Sequence, residues 1–249
     1  MYTSIAAYCF VHVDDPHALA DAIEPIARDH GLLGSVLVAE EGLNLFLAGG
    51  RCGIDGLLAW LKADARFAGI EVKFSGSGRQ PFARLKVKVK REIIAFRRDD
   101  ASPLQGRAPA VAPEVLARWL QQGHDDSGRA VVMLDTRNRE EVAYGTFAGA
   151  LTLPIDNFTD LPWAVTAQRD RLAGTTVVSF CTGGIRCEKA ALWMRAQGMD
   201  NVLQLDGGIL GYFERVGGTG YEGRCFVFDE RVALDPELVA LADAEADAA

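Results

Sequence analysis

A stretch of 22 residues, Val177 to Gly198 (VVSFCTGGIRCEKAALWMRAQG), limits the possible folds more than any other part of the chain. Val177, Val178, Ser179 and Phe180 make a short run that predicts a buried strand. The run stops at Cys181, and a six-residue turn, Cys181-Thr182-Gly183-Gly184-Ile185-Arg186, follows. From Cys187 the pattern is helical, with Ala190, Ala191 and Met194 on one face, Arg195 in the last turn and Gly198 as the stop. Strands alternate with helices from Val131 to Phe213, which predicts a parallel sheet with helices on both faces and a ligand site at the carboxyl ends of its strands. Cys181 falls at such an end, with the open amino end of a helix just beyond it. Gly183 and Gly184 let backbone N–H groups turn inward as a nest for an anion. A thiolate there gains from those donors, from the helix dipole and from the Arg186 guanidinium, and each lowers its pKa. A cysteine that merely fills a strand end needs neither the glycines nor the arginine. Cys181 is therefore read as a reactive thiol.

Cys181-x4-Arg186 between a strand and a helix resembles the active-site loop of the rhodanese superfamily. The longer string CTGGIRCEK (181–189) resembles one branch of it, the bacterial tRNA wobble-uridine hydroxylase family. The tract EEGLN (40–44) is similar to the amino-terminal module of that branch, and LDTRNREEVAYGTFAGALTLP (134–154) resembles the rhodanese signature. By this resemblance Asp135 and Arg137 close the first long strand of the second domain and hold the thiol loop in shape, with Glu141 a turn later. Asp135 fits equally well as a strand-end residue capping the next turn. Asp206-Gly207-Gly208 resembles the double-glycine turn that follows the closing strand. One departure stands out: family relatives usually carry Gly-His where this chain has Gly145-Thr146-Phe147. His12, His17, His30 and His124 all lie outside the rhodanese-like core, so no Cys–His pair is expected. Activation then falls to the loop backbone and Arg186.

The resemblance implies oxygen-dependent conversion of the wobble uridine of tRNA to its 5-hydroxy form. Cys181 would be the catalytic thiol, carrying a persulfide or related covalent species. Thr182, Gly183, Gly184, Ile185 and Arg186 would cradle its charge, and Asp135, Arg137 and Cys187 would support it. Molecular oxygen is a co-substrate by resemblance. No cofactor or metal is expected, since there is neither a GxGxxG after a strand nor a His-carboxylate cluster. Cys187 either resolves an oxidised Cys181 or packs beneath the loop as a small apolar residue. Two further activities fit the same residues. One is a sulfurtransferase taking sulfane sulfur from thiosulfate or a persulfide. The other is a non-catalytic RNA- or anion-binding module, against which the presence of the thiol counts.

For the first half of the chain the period changes. IAAYCFVHV (5–13) reads as a strand; Asp15 then caps a helix that carries Pro16 at its first position and buries Leu19, Ile23 and Ile26 until Gly31. Pro25 within it predicts a kink. Two strand-like runs meet at Glu41-Gly42 as a hairpin, a helix over Asp55–Phe67 buries Leu57, Leu58 and Leu61, and a fourth strand begins at Ile70. This order predicts an N-terminal ferredoxin-like (βαββαβ) domain over 1–98. A linker with a short helix over Pro113–Gln122 occupies 99–124, a rhodanese-like parallel-sheet α/β domain 125–221, and an acidic tail, helical or disordered at its Ala-rich end, 222–249. Longer family members continue into a cysteine-rich extension that these residues do not include.

Charge is segregated along the chain. The net charge of −8 opposes a nucleic-acid partner, but residues 79–98 hold eight basic side chains against Glu92 alone. Within them Leu85, Val87 and Val89 alternate with Arg84, Lys86, Lys88 and Lys90, and Arg91 follows. An extended chain would present those charges on one face. Such a stripe protects a sheet edge, or it contacts phosphates; the tRNA implied by the resemblance favours the second. The loop Ser75–Arg79 fits a hinge or a further phosphate contact. No run of eighteen apolar residues occurs, so no membrane span is expected, and the amino end lacks a basic leader. The odd count of five cysteines without a CxxC argues against a disulfide framework or zinc site and for a reducing cytoplasm.

Overall fold

Alternating apolar residues build the first sheet. The structure, a computed structural model, describes residues 1–241. It begins with β1 (Tyr2–Phe10), α1 (Pro16–Asp29), β2 (Leu33–Ala39), β3 (Gly42–Gly49), α2 (Arg51–Ala63), β4 (Glu71–Ser77) and β5 (Leu85–Val89). The sheet order is β4-β1-β3-β2-β5, antiparallel except for β5, which runs parallel to β2. One face carries Ile5, Ala7, Val36, Val38, Leu43, Leu45 and Leu47, and α1 and α2 cover it with Leu19, Ile23, Ile54, Leu57 and Leu61. This is the expected βαββαβ unit with an added edge strand. The Asp15 side chain caps α1 by accepting from Ala18 N at 2.9 Å, and the helix continues through Pro25 to Asp29.

Several expected boundaries move. β1 occupies 2–10 rather than 5–13, because β3 pairs with it only as far as Phe10↔Gly42, at the hairpin end. The hairpin turns at Glu40-Glu41, since Ala39 already pairs with Gly42. α2 starts four residues earlier than expected, at Arg51, which bonds Asp55 at 2.9 Å; it ends at Ala63, leaving Phe67 buried in the turn beyond. Ser75 and Ser77 belong to β4 rather than to a hinge. Residues 228–232 also return to this unit, where Arg231 Nη1 donates to Ser75 Oγ at 2.6 Å and Glu230 N to Pro81 O at 3.1 Å.

The second unit runs from Phe96 to Val227, with residues 233–238 added. It comprises β6 (Ala110–Val111), α3 (Pro113–Gln122), β7 (Val131–Asp135), α4 (Arg139–Val142), β8 (Gly145–Phe147), α5 (Leu161–Thr166), α6 (Arg169–Leu172), β9 (Thr176–Phe180), α7 (Ile185–Ala196), β10 (Val202–Leu205), α8 (Gly208–Val216), β11 (Tyr221–Gly223), β12 (Cys225–Phe226) and β13 (Ala233–Leu234). A parallel sheet of order β6-β10-β9-β7 places β9 between two neighbours, which accounts for its fully buried run. The stretch read as a linker is part of this unit. Ala101 and Ala108 lie in its core beside Phe96, and Gln204 and Leu205 of β10 pair with β6. The stretch read as a tail begins inside β11, which pairs with β8. Its Ala-rich end lies, from residue 242, outside the described residues. Among the described residues no helix is long and apolar enough to cross a membrane.

Candidate active site

β9 delivers Cys181 to the carboxyl edge of the sheet, and the chain then makes a short loop before α7. The helix begins at Ile185, two residues earlier than the sequence suggested, so Ile185 and Arg186 belong to its first turn and the loop proper is Cys181–Gly184. Gly184, with φ of +99°, is the residue that turns the chain into the helix. Its N–H donates to Cys181 Sγ at 3.2 Å. The loop is fixed from the opposite side by the start of α8, where Ile209 N donates to Cys181 O at 2.9 Å and Leu210 N to Thr182 O at 3.0 Å. With those carbonyls drawn outward, the amide of Gly184 is left facing the sulfur. Gly208, with φ of +63°, makes this approach possible: a Cβ there would lie 2.6 Å from both Cys181 O and Gly184 N.

Cys181 is 1% exposed. Burial alone pushes its thiol up. A hydrogen bond with Cys187, the charge of Arg186 and the backbone N–H groups of Arg186 and Gly184 outweigh that and lower it to about 6. The Cys187 thiol moves the other way, well above its ordinary value, through burial and the neighbouring Cys181. Its sulfur also lies 3.6 Å from Thr136 Oγ1, and that hydroxyl donates to Phe180 O at 2.9 Å. Cys181 thus carries the negative charge and Cys187 keeps its proton.

Arg186 does not point freely at the thiol. Its two terminal nitrogens grip Glu141 at 2.7 and 2.6 Å, and the Glu141 side chain is fully buried. Thr182 Oγ1 approaches the same carboxylate at 3.5 Å. Glu141 is placed by the start of α4, where Asn138 Oδ1 accepts from Glu141 N at 3.1 Å and Asn138 N donates back to Glu141 Oε2 at 3.2 Å. Burial opposes the charge of Arg186 and the Glu141 carboxylate more than restores it. The pair therefore acts as one rigid unit beside the loop.

Asp135 and Arg137 form a second, wholly buried pair at the end of β7. Arg137 Nε and Nη2 donate to the two Asp135 oxygens at 2.9 and 2.6 Å, Arg137 N adds a third bond at 3.0 Å, and Thr146 Oγ1 a fourth at 2.7 Å. Thr146 is thereby a partner of Asp135. The Arg137 guanidinium also reaches Gly145 O at 2.7 Å and lies 5.9 Å from the ring centre of Phe180, the residue before the thiol.

Three contributors escaped the sequence reading. Glu141 and Thr136 carry no signal of their roles in the sequence. Cys225, on β12, is buried and hydrogen-bonds Thr182 of the loop; burial pushes its thiol up to about 12 despite the nearby charge of Arg137. Neither Thr136 nor Cys225 stands near the loop in sequence, so no local spacing signals them. Glu188 and Lys189, the last two residues of the CTGGIRCEK string, are buried as well. Glu188 accepts from Arg107 Nε at 2.8 Å and Gln204 Nε2 at 3.0 Å, so α7 is enclosed on more than the one face expected.

The basic stripe lies in the other unit. Lys86 and Lys88 are exposed on β5, Leu85, Val87 and Val89 pack against the core, and Arg84, Lys90 and Arg91 are exposed at the strand's ends. The alternation is as expected, on an edge strand. Ser75 and Ser77, just before it, are engaged: Ser77 Oγ donates to Arg79 O at 2.7 Å. Among the described residues no group of three or more His, Cys, Asp or Glu is arranged to hold a metal ion.

Two family models match the chain, an acylphosphatase-like domain of the UPF0176 group over residues 2–93 and a rhodanese-like domain over residues 116–215. Among curated relatives, the tRNA uridine(34) hydroxylase of Xanthomonas euvesicatoria pv. vesicatoria is 70% identical over 98% of this chain and 99% of its own length. The tRNA uridine(34) hydroxylase of Xylella fastidiosa is 63% identical over 96% and 93%. Among solved structures, the rhodanese-like domain of an Anabaena protein is 22% identical, covers 46% of this chain and 79% of its own, and superposes with a TM-score of 0.37.

Proposed function

The chain belongs to the tRNA uridine(34) hydroxylase family, and we propose on that footing that it hydroxylates the wobble uridine of tRNA with Cys181 as its reactive thiol. The observation that carries the role of Cys181 is its sulfur, which accepts from Gly184 N at 3.2 Å at the opening of α7, with Cys187, Arg186 and the backbone N–H groups lowering its pKa to about 6 against burial. A thiolate in an amide nest is a nucleophile and a one- or two-electron donor, whereas the neutral thiols of Cys187 and Cys225 are neither to the same degree. Thr182, Gly183, Gly184, Ile185 and Arg186 shape that nest. Glu141 fixes Arg186, and the Asp135–Arg137 pair braces the strand end behind it. The product is the 5-hydroxy nucleoside and molecular oxygen the co-substrate. Arg84, Lys86, Lys88, Lys90 and Arg91 supply phosphate contacts to the tRNA. A tRNA substrate and five cysteines free of disulfides fit work in the reducing cytoplasm.

Mass spectrometry of tRNA nucleosides tests this reading in cells lacking the gene and complemented by wild type or Cys181→Ser. Wild type is expected to restore 5-hydroxyuridine at the wobble position, and Cys181→Ser to leave it absent. If deletion does not change the level of that nucleoside, the hydroxylase reading fails and transfer of sulfane sulfur takes its place.

A further inference from the structure

Hydroxylation by dioxygen has an electron balance that one thiolate cannot close. Breaking the uridine C5–H bond and forming C5–OH uses one oxygen atom. The second atom leaves as water, which needs two electrons and two protons. We propose, resting on the hydroxylase reading, that Cys181 and Cys187 together supply them and end the turnover joined as a disulfide.

The step balances as uridine plus dioxygen plus two thiols giving 5-hydroxyuridine, water and one disulfide. The O–O bond, the C5–H bond and two S–H bonds break, counting the proton that Cys181 has already released. The C–O bond, the S–S bond and the O–H bonds of product and water form.

The geometry suits this pairing. Cys181 ends β9 and Cys187 is the third residue of α7, so one short loop sets both. Gly184 bonds both residues: its N–H donates to Cys181 Sγ at 3.2 Å, and its carbonyl accepts from Cys187 N at 2.9 Å. The two sulfurs hydrogen-bond each other, and both side chains are buried. One is held ionised and the other protonated, the state from which a thiol closes onto an oxidised neighbour or a thiolate attacks one. Cys225, the third buried thiol nearby, is engaged with Thr182 and with Phe226 O and stands outside the pair. A small apolar filler at 187 would need no sulfur, and Ala would serve as well. A residue that closes a disulfide requires one. It also assigns a partner by chemistry: a dithiol reductant must reopen the disulfide before the next turnover.

The test uses reduced full-length protein freed of small thiols, mixed in air with tRNA that lacks the modification. Nucleoside mass spectrometry counts product, and peptide mapping without reduction counts disulfide. Trypsin cuts after Arg186, so the two cysteine peptides stay together only through the S–S bond. Wild type is expected to make about one 5-hydroxyuridine per chain, accumulate the Cys181–Cys187 disulfide in equal amount and stop, then resume when dithiothreitol is added. Cys187→Ser and Cys187→Ala are expected to lose that burst, at least tenfold. Product beyond one per chain without reductant overturns the proposal. So does product with no disulfide, a disulfide to Cys225 instead, or a full burst from either Cys187 variant. No product from wild type even with dithiothreitol counts against the hydroxylase reading itself. In that event equilibration in glutathione redox buffers still decides the pair: reversible formation of the Cys181–Cys187 bond supports it, and failure to form it at any buffer ratio overturns it.

Discussion

Replacing Gly208 with alanine tests whether the start of α8 sets the ionisation of Cys181. The new methyl would lie 2.6 Å from Cys181 O and from Gly184 N and 2.9 Å from Gly183 C. All three are backbone atoms and cannot swing aside as a side chain would. The φ of +63° adds about 1–2 kcal/mol for an L-residue in the left-handed region. Relief requires the loop to move off α8, which carries the Gly184 amide away from Cys181 Sγ. A hydrogen bond to a charged group is worth about 1.5–3 kcal/mol, or roughly one to two pKa units at about 1.4 kcal/mol each. The thiol should therefore rise from about 6 to roughly 7–8, and its ionised fraction at neutral pH should fall from about nine-tenths to between one-half and one-tenth. Ultraviolet absorbance of the thiolate against pH, taken as a difference from Cys181→Ser, reads this directly. Gly183→Ala is the control, since a Cβ there meets nothing within 4 Å. An unchanged Cys181 titration in folded Gly208→Ala would refute the bracing by α8, as would an equal shift in Gly183→Ala.

Glu141→Gln should cost on the order of 3–5 kcal/mol in urea unfolding, because it leaves the buried Arg186 without its counter-charge; a loss below about 1 kcal/mol would mean the pair contributes little. The stability that Cys181 contributes over Cys181→Ser has a set sign with pH. Its folded pKa is depressed, so the contribution is full above the unfolded thiol value of about 8.5 and is lost as pH falls through about 6; unfolding curves across that window should converge at the acid end. Lys86→Glu with Lys88→Glu should weaken tRNA binding and flatten its dependence on salt, with melting unchanged because both side chains are exposed; an unaltered slope would leave the stripe as edge protection.

The thiol motif was legible because its chemistry is local: strand, nest and helix start follow one another within a few residues. The start of α7 was misplaced because Gly184 makes no side-chain cap bond, so the usual Ser, Thr or Asp signal is missing. α2 was misplaced for a related reason. Gly50 opens it without a side-chain cap, and Gly53 within it reads as a turn, yet a Cβ at Gly53 would lie 2.5 Å from His30 O. That glycine is a site of close packing inside a helix. The stretch 99–112 read as a linker because Ala101 and Ala108 fill their core places without apolar periodicity. The grip of Glu141 on Arg186 spans 45 residues, beyond the reach of any spacing rule. The alternation in β5 was plain from its period of two, and its partner strand was not, because a parallel pairing leaves no hairpin signal.

The return of residues 228–232 to the first unit has a consequence for synthesis. On the ribosome, residues 1–95 emerge well before Arg231, so Ser75 and Pro81 wait for partners that follow the whole parallel sheet of the second unit. The first unit is thus finished only after that sheet has been made, and a fragment cut at Ala95 is born without its fastening.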